Sequence, residues 1–253
     1  MSATDHIPVY AHRFGSAYGP ESSRAALERS LDQQVEGLEC DVILSGDDEV
    51  FALHDPDLGL CTNLTGWARE HPAEEIDRAH IRDGAGDISD ERPLRLREVL
   101  RLIPPDLPLQ LDIKAYADHD LVRRTTARAC EIVHEHGTPA RIEVISFFTP
   151  GCLVAHDRGV TTRLVLWADY APDALVRWVL DRRIDGVSCE GFVLSEELTD
   201  PLRGAGLTMS VGAVNSRRAL ERLLPFEPHI VVSDEPAEIR KILSDLRGTG
   251  DEP

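Results

Sequence analysis

Gly37-Leu-Glu-Cys-Asp-Val-Ile-Leu44 has the length and branched apolar content of a buried β-strand, yet it carries two carboxylates. Side chains alternate across a strand, so Glu39 and Asp41 share one face while Leu38, Cys40 and Val42 point to the other. A second strand-like segment, Leu109-Gln-Leu-Asp-Ile-Lys114, puts Asp112 where an apolar side chain is expected. Burying negative charge unpaired is prohibitively costly. The three acids therefore call for a bound cation, a basic partner or open water.

Outward from that strand the chain alternates between two periods. Upstream lie a strand-like segment at 7–12 and a helical one at 23–34; downstream the turn Ser45-Gly-Asp-Asp48 leads into a strand-like 50–54. Residues 56–92 are rich in turn formers and read as the one long insertion. The alternation then resumes with helix 95–103, strand 109–114, helix 119–136, strand 141–147, helix 150–158 and strand 162–167. It continues as helix 172–182, strand 186–190, helix 195–204, strand 207–214, helix 216–224, strand 230–233 and helix 236–246. Counting 50–54 as an extension of the second strand gives eight βα units, the number that closes a parallel barrel. The expected fold is α/β, a (β/α)8 TIM barrel with a small insertion after strand two, formed by residues 1–247 as a single domain. An open doubly wound sheet is the other architecture such alternation permits. The acidic tail 248–253 has no apolar anchor and is expected to be disordered.

Composition narrows the function. The chain has 253 residues, 42% of them hydrophobic, which suffices for one large core. A formal net charge of −18 argues against nucleic acid or anionic membrane as a partner, because both require a basic face. A divalent cation fits that balance better. No run of about 18 apolar residues occurs, so no integral membrane segment is expected. Cys40, Cys61, Cys130, Cys152 and Cys189 lack C-x-x-C spacing, and no charged-then-apolar stretch opens the chain as in a signal peptide. These features predict a reduced, cytoplasmic protein; they leave the oligomeric state open.

In a barrel of this kind the active site lies at the carboxyl ends of the strands. His12 and Arg13 end strand one, Glu39 and Asp41 lie along strand two, His54 and Asp55 close its extension, and Asp112 and Lys114 lie along strand three. Hard cations such as Mg²⁺ or Ca²⁺ take carboxylate oxygens, so Glu39, Asp41 and Asp112 are the candidate metal ligands. Zinc more often recruits His and Cys, and Cys40 faces the helices. His12 and His54 are the candidate general acid and base, since imidazole changes charge near neutral pH. Arg13 offers a planar fork to phosphate oxygens and Lys114 a point charge. Lys114 is one of only two lysines in an arginine-biased chain, which suggests a specific need for the compact ammonium. The set describes metal-assisted cleavage of a small-molecule phosphodiester. Asp234, just before Glu235-Pro236, reads as a helix N-cap, and Glu21 as a helix-start carboxylate or an acceptor for Arg13. Glu190 and Trp167, at strand ends, are further candidates for the pocket wall.

These residues, in this order, resemble the glycerophosphodiester phosphodiesterases. The resemblance runs from His12-Arg13 through Gly19-Pro20-Glu21-Ser22-Ser23, Leu38-Glu-Cys-Asp-Val42, Leu53-His-Asp55, Pro93-Leu-Arg-Leu-Arg-Glu-Val-Leu100 and Leu111-Asp-Ile-Lys114 to Val214-Asn215 and Ser233-Asp-Glu-Pro236. It implies that His12 and His54 are the acid/base pair, that Glu39, Asp41 and Asp112 hold Mg²⁺ or Ca²⁺, and that Arg13 and Lys114 bind phosphate. It also implies hydrolysis of glycerophosphodiesters to an alcohol and glycerol phosphate, and an insertion that helps form the mouth. The chain departs from the family at Phe14, where glycine is usual, at Ser22 for asparagine, at Asp112 for glutamate and at Gly212 for tryptophan. The Asp-x-Lys form of strand three is also similar to the sphingomyelinase D type phospholipases, lyases that leave a cyclic phosphate. A barrel that has lost catalysis but binds a phosphorylated ligand is the reading outside enzymes. Phe14 fits either a place at the mouth or packing beneath the loop.

Overall fold

The computed structural model describes residues 6–248. Eight parallel strands close into a barrel: β1 (Val9–Ala11), β2 (Gly37–Leu44), β5 (Leu109–Ile113), β6 (Ile142–Ser146), β7 (Thr161–Leu166), β8 (Gly186–Glu190), β9 (Thr208–Gly212) and β10 (Ile230–Ser233), the numbering leaving room for β3 (Val50–Ala52) and β4 (Leu94–Arg95). β1 pairs with both β10 and β2, which removes every edge from the parallel set. Residues 249–253, most of the expected tail, lie outside the described residues, and Gly248 ends the last helix.

Helices cover the outside. α1 (Arg24–Asp32) follows β1; α2 (Leu58–Cys61) and α3 (Ala73–Ile76) belong to the insertion; α4 (Leu96–Leu102) and α5 (His119–His136) flank β5. α6 (Thr149–Asp157), α7 (Pro172–Asp181), α8 (Glu196–Gly204), α9 (Arg217–Leu223) and α10 (Pro236–Gly248) each follow one of the strands β6 to β10. Their starts are written in the sequence. Ser23, Asp118, Ser195 and Ser216 each accept a hydrogen bond from a first-turn backbone N–H, of Ala26, Leu121, Leu198 and Ala219. Apolar residues on the outward faces of the strands, such as Leu38, Cys40, Val42, Leu109 and Leu111, are fully buried against this helical layer.

The inward faces are polar, as the two acid-bearing strands predict. Below the mouth, Arg163 of β7 makes a two-pronged contact with Glu143 of β6, Nε to Oε2 at 2.9 Å and Nη2 to Oε1 at 2.8 Å. Gln110 Nε2 donates to the same carboxylate at 2.8 Å, and Arg163 Nη1 to Thr208 Oγ1 at 2.6 Å. This network fills the lower barrel with paired rather than isolated charge. Tyr10 packs at the same level against the bare Cα of Gly37, where an added Cβ would lie 2.3 Å from its ring.

The segment 50–54 does not extend β2. β3 runs antiparallel to β2, with Val42 opposite Ala52 and Leu44 opposite Val50, and β4 pairs antiparallel with β3. Ser45 to Glu49 form the turn of a hairpin, closed by Ser45 N–H to Glu49 O at 2.9 Å. β2 thus overshoots the barrel, and β3 carries the chain back to its mouth. The insertion packs on this hairpin, where Ile43, Phe51 and Leu53 form a small core with Leu58, Cys61, Ile76 and Ile81.

Candidate active site

A cavity of about 290 Å³ opens at the carboxyl ends of the strands, at the small end of the range for ligand sites. The seven residues given catalytic, metal or phosphate roles in the sequence all line it: His12, Arg13, Glu39, Asp41, His54, Asp112 and Lys114. His12 and Arg13 sit on a short 3-10 turn that β1 runs into. Arg13 and Phe14 both adopt left-handed backbone, φ 49° and 63°, a conformation that costs L-residues energy and is held here by the surrounding contacts. One contact is Arg13 N–H donating to Glu39 Oε2 at 2.9 Å. His54 arrives by the β2–β3 hairpin, with Leu53 N–H bonded to Asp41 O at 3.1 Å.

Glu39, Asp41 and Asp112 are buried, and one oxygen of each lies within 4.8 Å of the others. Neighbouring strands align Asp41 with Asp112 in register. Asp41 Oδ2 and Asp112 Oδ1 are buried and accept no hydrogen bond among the described residues. Asp112 Oδ1 without a partner and Asp41 Oδ2 facing only the Arg13 guanidinium, with a third acid beside them, form an all-carboxylate donor set of the kind a hard divalent cation takes. The three acids are not equivalent. Burial, and then Asp41, push Glu39 up to about 7. Burial would also raise Asp41, but Lys114 and Arg13 outweigh it and hold that carboxyl at about 2. Lys114 Nζ lies 3.1 Å from Asp41 Oδ1 and 2.6 Å from Asp112 Oδ2, and Arg13 Nε lies 3.2 Å from Asp41 Oδ2. Lys114 is raised well above its ordinary value because Asp112 and Asp41 overcome its burial.

The two histidines are built alike. Asp234 Oδ1 lies 2.6 Å from His12 Nδ1, and Asp55 Oδ2 lies 3.0 Å from His54 Nδ1. Both aspartates are held below their ordinary range: in Asp234, at about 2, the His12 hydrogen bond outweighs burial, and in Asp55 the His54 bond is the largest cause. An ionised carboxylate can only accept, so each Nδ1 donates and each Nε2 is left free. His12 Nε2 is 3.8 Å from Glu39 Oε2.

Several residues take places that differ from expectation. Asp234 is not a helix cap; its carboxylate accepts from His12, from Ser16 Oγ at 2.6 Å and from the Asn215 side chain. The nearest sequence signal is the Ser233-Asp-Glu-Pro236 motif. Glu21 accepts from Arg13 Nη1 and so orients the guanidinium. Phe14 is fully buried in the core under the turn, away from the mouth. Glu190 lines the cavity, whereas Trp167 is 55% exposed and does not. Gly212 lines it too, and a Cβ there would lie 2.8 Å from Val232 Cβ, so a larger residue requires the wall to shift. The insertion contributes no lining residue; Trp67 packs edge-on to Tyr116, whose hydroxyl donates to Asp55 at 2.9 Å.

Known proteins share this arrangement of chain. The model of the glycerophosphoryl diester phosphodiesterase family matches residues 12–238. A glycerophosphodiester phosphodiesterase of Caldanaerobacter subterraneus is 24% identical over 231 residues, covering 90% of this chain and 94% of the relative. Among solved structures, a phosphodiesterase of Oleispira antarctica in complex with the product sn-glycerol-3-phosphate superposes with a TM-score of 0.84 at 22% identity, covering 94% of this chain and 96% of that one. A glycerophosphodiester phosphodiesterase from Thermotoga maritima gives 0.76 at 21% identity, covering 94% and 98%. At such identities these structural likenesses establish the barrel.

Proposed function

The chain belongs to the glycerophosphoryl diester phosphodiesterase family, and from that premise we propose that it hydrolyses glycerophosphodiesters to an alcohol and glycerol phosphate with a divalent cation bound. One observation carries the reading: two imidazoles, each locked through Nδ1 by a carboxylate, stand around three clustered acids in one cavity. The product-bound Oleispira antarctica phosphodiesterase of the same fold supports a glycerol phosphate site in such a barrel.

Glu39, Asp41 and Asp112 would hold Mg²⁺ or Ca²⁺, hard ions suited to an all-carboxylate set. When bound, the ion neutralises charge on the phosphoryl oxygens. Arg13 and Lys114 bind the phosphate, and their own acids keep both fully protonated. Glu21 leaves the guanidinium aimed in one direction. His12 and His54 present Nε2 to opposite ends of the reacting group, one taking a proton from water and the other giving one to the departing alcohol. Asp234 and Asp55 stabilise the imidazolium when either ring is charged.

Replacing His12 or His54 with Ala tests this directly. Each variant is expected to lose at least about a hundredfold in kcat on glycerophosphocholine in the presence of Mg²⁺ or Ca²⁺, the usual loss for a missing acid or base. Wild-type rates in both variants would exclude the assignment.

A further inference from the structure

Glu190 stands apart from the rest of the cavity's charge. In the order of the closed barrel, β8 lies four strands from β2 in either direction, so Glu190 faces the acid-rich strands from the opposite wall. Apart from Glu190 itself, the cavity residues contributed by β7, β8, β9 and β10 and the turn after β9 are uncharged, namely Val165, Ser188, Cys189, Gly212, Ala213 and Val232. The carboxylate is half-buried and makes no hydrogen bond or ion pair among the described residues. Every other acid lining the cavity has a basic neighbour; burial raises this one, and the distant fields of His12 and Lys114 are opposed by that of Asp112. A half-buried carboxylate without a protein partner is met by water or, more favourably, by a cation.

We propose that Glu190 is a specificity-determining residue that selects diesters whose departing alcohol carries a positive charge, such as a primary or quaternary ammonium. The inference rests on the phosphodiesterase reading above. With phosphate held by Arg13 and Lys114 and the glycerol side toward β2 and β5, the second ester arm extends across the cavity toward β7, β8 and β9. An ammonium on that arm meets Glu190, whereas a neutral polyol leaves it unpaired and an anionic arm is repelled. Phe192, two residues beyond Glu190, and Trp167, just past the end of β7, carry exposed rings, 67% and 55% exposed, although neither lines the cavity.

The test compares kcat/KM for glycerophosphocholine and glycerophosphoglycerol in the wild type and in Glu190→Gln. The wild type is expected to favour the cationic substrate by about tenfold, the discrimination of one partly desolvated charge pair, and the ratio to fall to near one in the variant. A wild type that prefers the neutral diester, or a variant in which both substrates change in proportion, overturns the proposal. Calorimetric binding of tetramethylammonium keeps the question separate from turnover. If no diester is hydrolysed, the phosphodiesterase reading fails, yet binding by the wild type that is lost in Glu190→Gln still supports the cation site. Absence of that binding in the wild type overturns it.

Discussion

Asp234 and His12 lie 222 residues apart in sequence and 2.6 Å apart in space, because β10 and β1 close the barrel side by side. The contact sets the ring's tautomer and its charge. Burial alone would lower His12, but the hydrogen bond to Asp234, with Glu39 behind it, raises it overall. Replacing Asp234 with Ala removes the largest raising influence, so the limb of the kcat/KM profile that reports His12 is expected to move to lower pH. The rate itself should fall roughly a hundredfold, as when the partner that orients a working histidine is lost. An unmoved limb would show that Asp234 serves the fold alone. The sequence could not reveal this pairing, because an aspartate two residues before a helix-start proline looks like a cap whether or not a histidine lies across the barrel seam. Arg13, His12, Lys114 and the three acids were readable for a different reason: polar residues in strand positions have few structural uses. Phe14 was ambiguous because a left-handed residue after Arg13 swings its ring down into the core rather than out to the mouth.

At the level of elements, the period-2 and period-3.6 patterns located every barrel strand and the helix after it, including α5 at His119–His136 to the residue. Pattern tells that a segment is extended but not which way it runs. That is why 50–54 read as more of β2, although Ser45-Gly-Asp-Asp48 already carried the turn chemistry of a hairpin. The reversal has consequence for the site, since it returns His54 to the mouth beside Asp41. Inside the barrel, the Glu143–Arg163 pair was also invisible, as neither residue marks its partner in sequence. Burial would raise Glu143, but Arg163 outweighs it and the carboxyl sits below its ordinary value. A depressed carboxyl adds stability that is present above its unfolded value, about 4.3, and is lost as pH falls through the folded one. Glu143→Gln is therefore expected to cost about 3 kcal/mol at pH 7, because Arg163 is left buried without its counter-ion. The gap to wild type should narrow by pH 3 in denaturant titrations; a gap independent of pH would count against the pair.

Across the whole molecule, closure of eight strands brings groups from both ends of the chain into one cavity. We propose that residues 1–247 form a single domain, since the insertion shares Ile43, Phe51 and Leu53 with the hairpin of the barrel and has no separate core. The net charge of −18 suits a cationic rather than an anionic ligand, and among the described residues no helix is long and apolar enough to cross a membrane. We propose that the three carboxylates hold a divalent cation for hydrolysis of a glycerophosphodiester. Phosphorus NMR of glycerophosphocholine turnover, by protein stripped with EDTA and then supplied with Mg²⁺ or Ca²⁺, tests this. The stripped protein is expected to show no turnover and, once the cation is restored, to release glycerol phosphate; equal turnover without metal, a cyclic phosphate product, or no reaction with either ion would overturn the assignment.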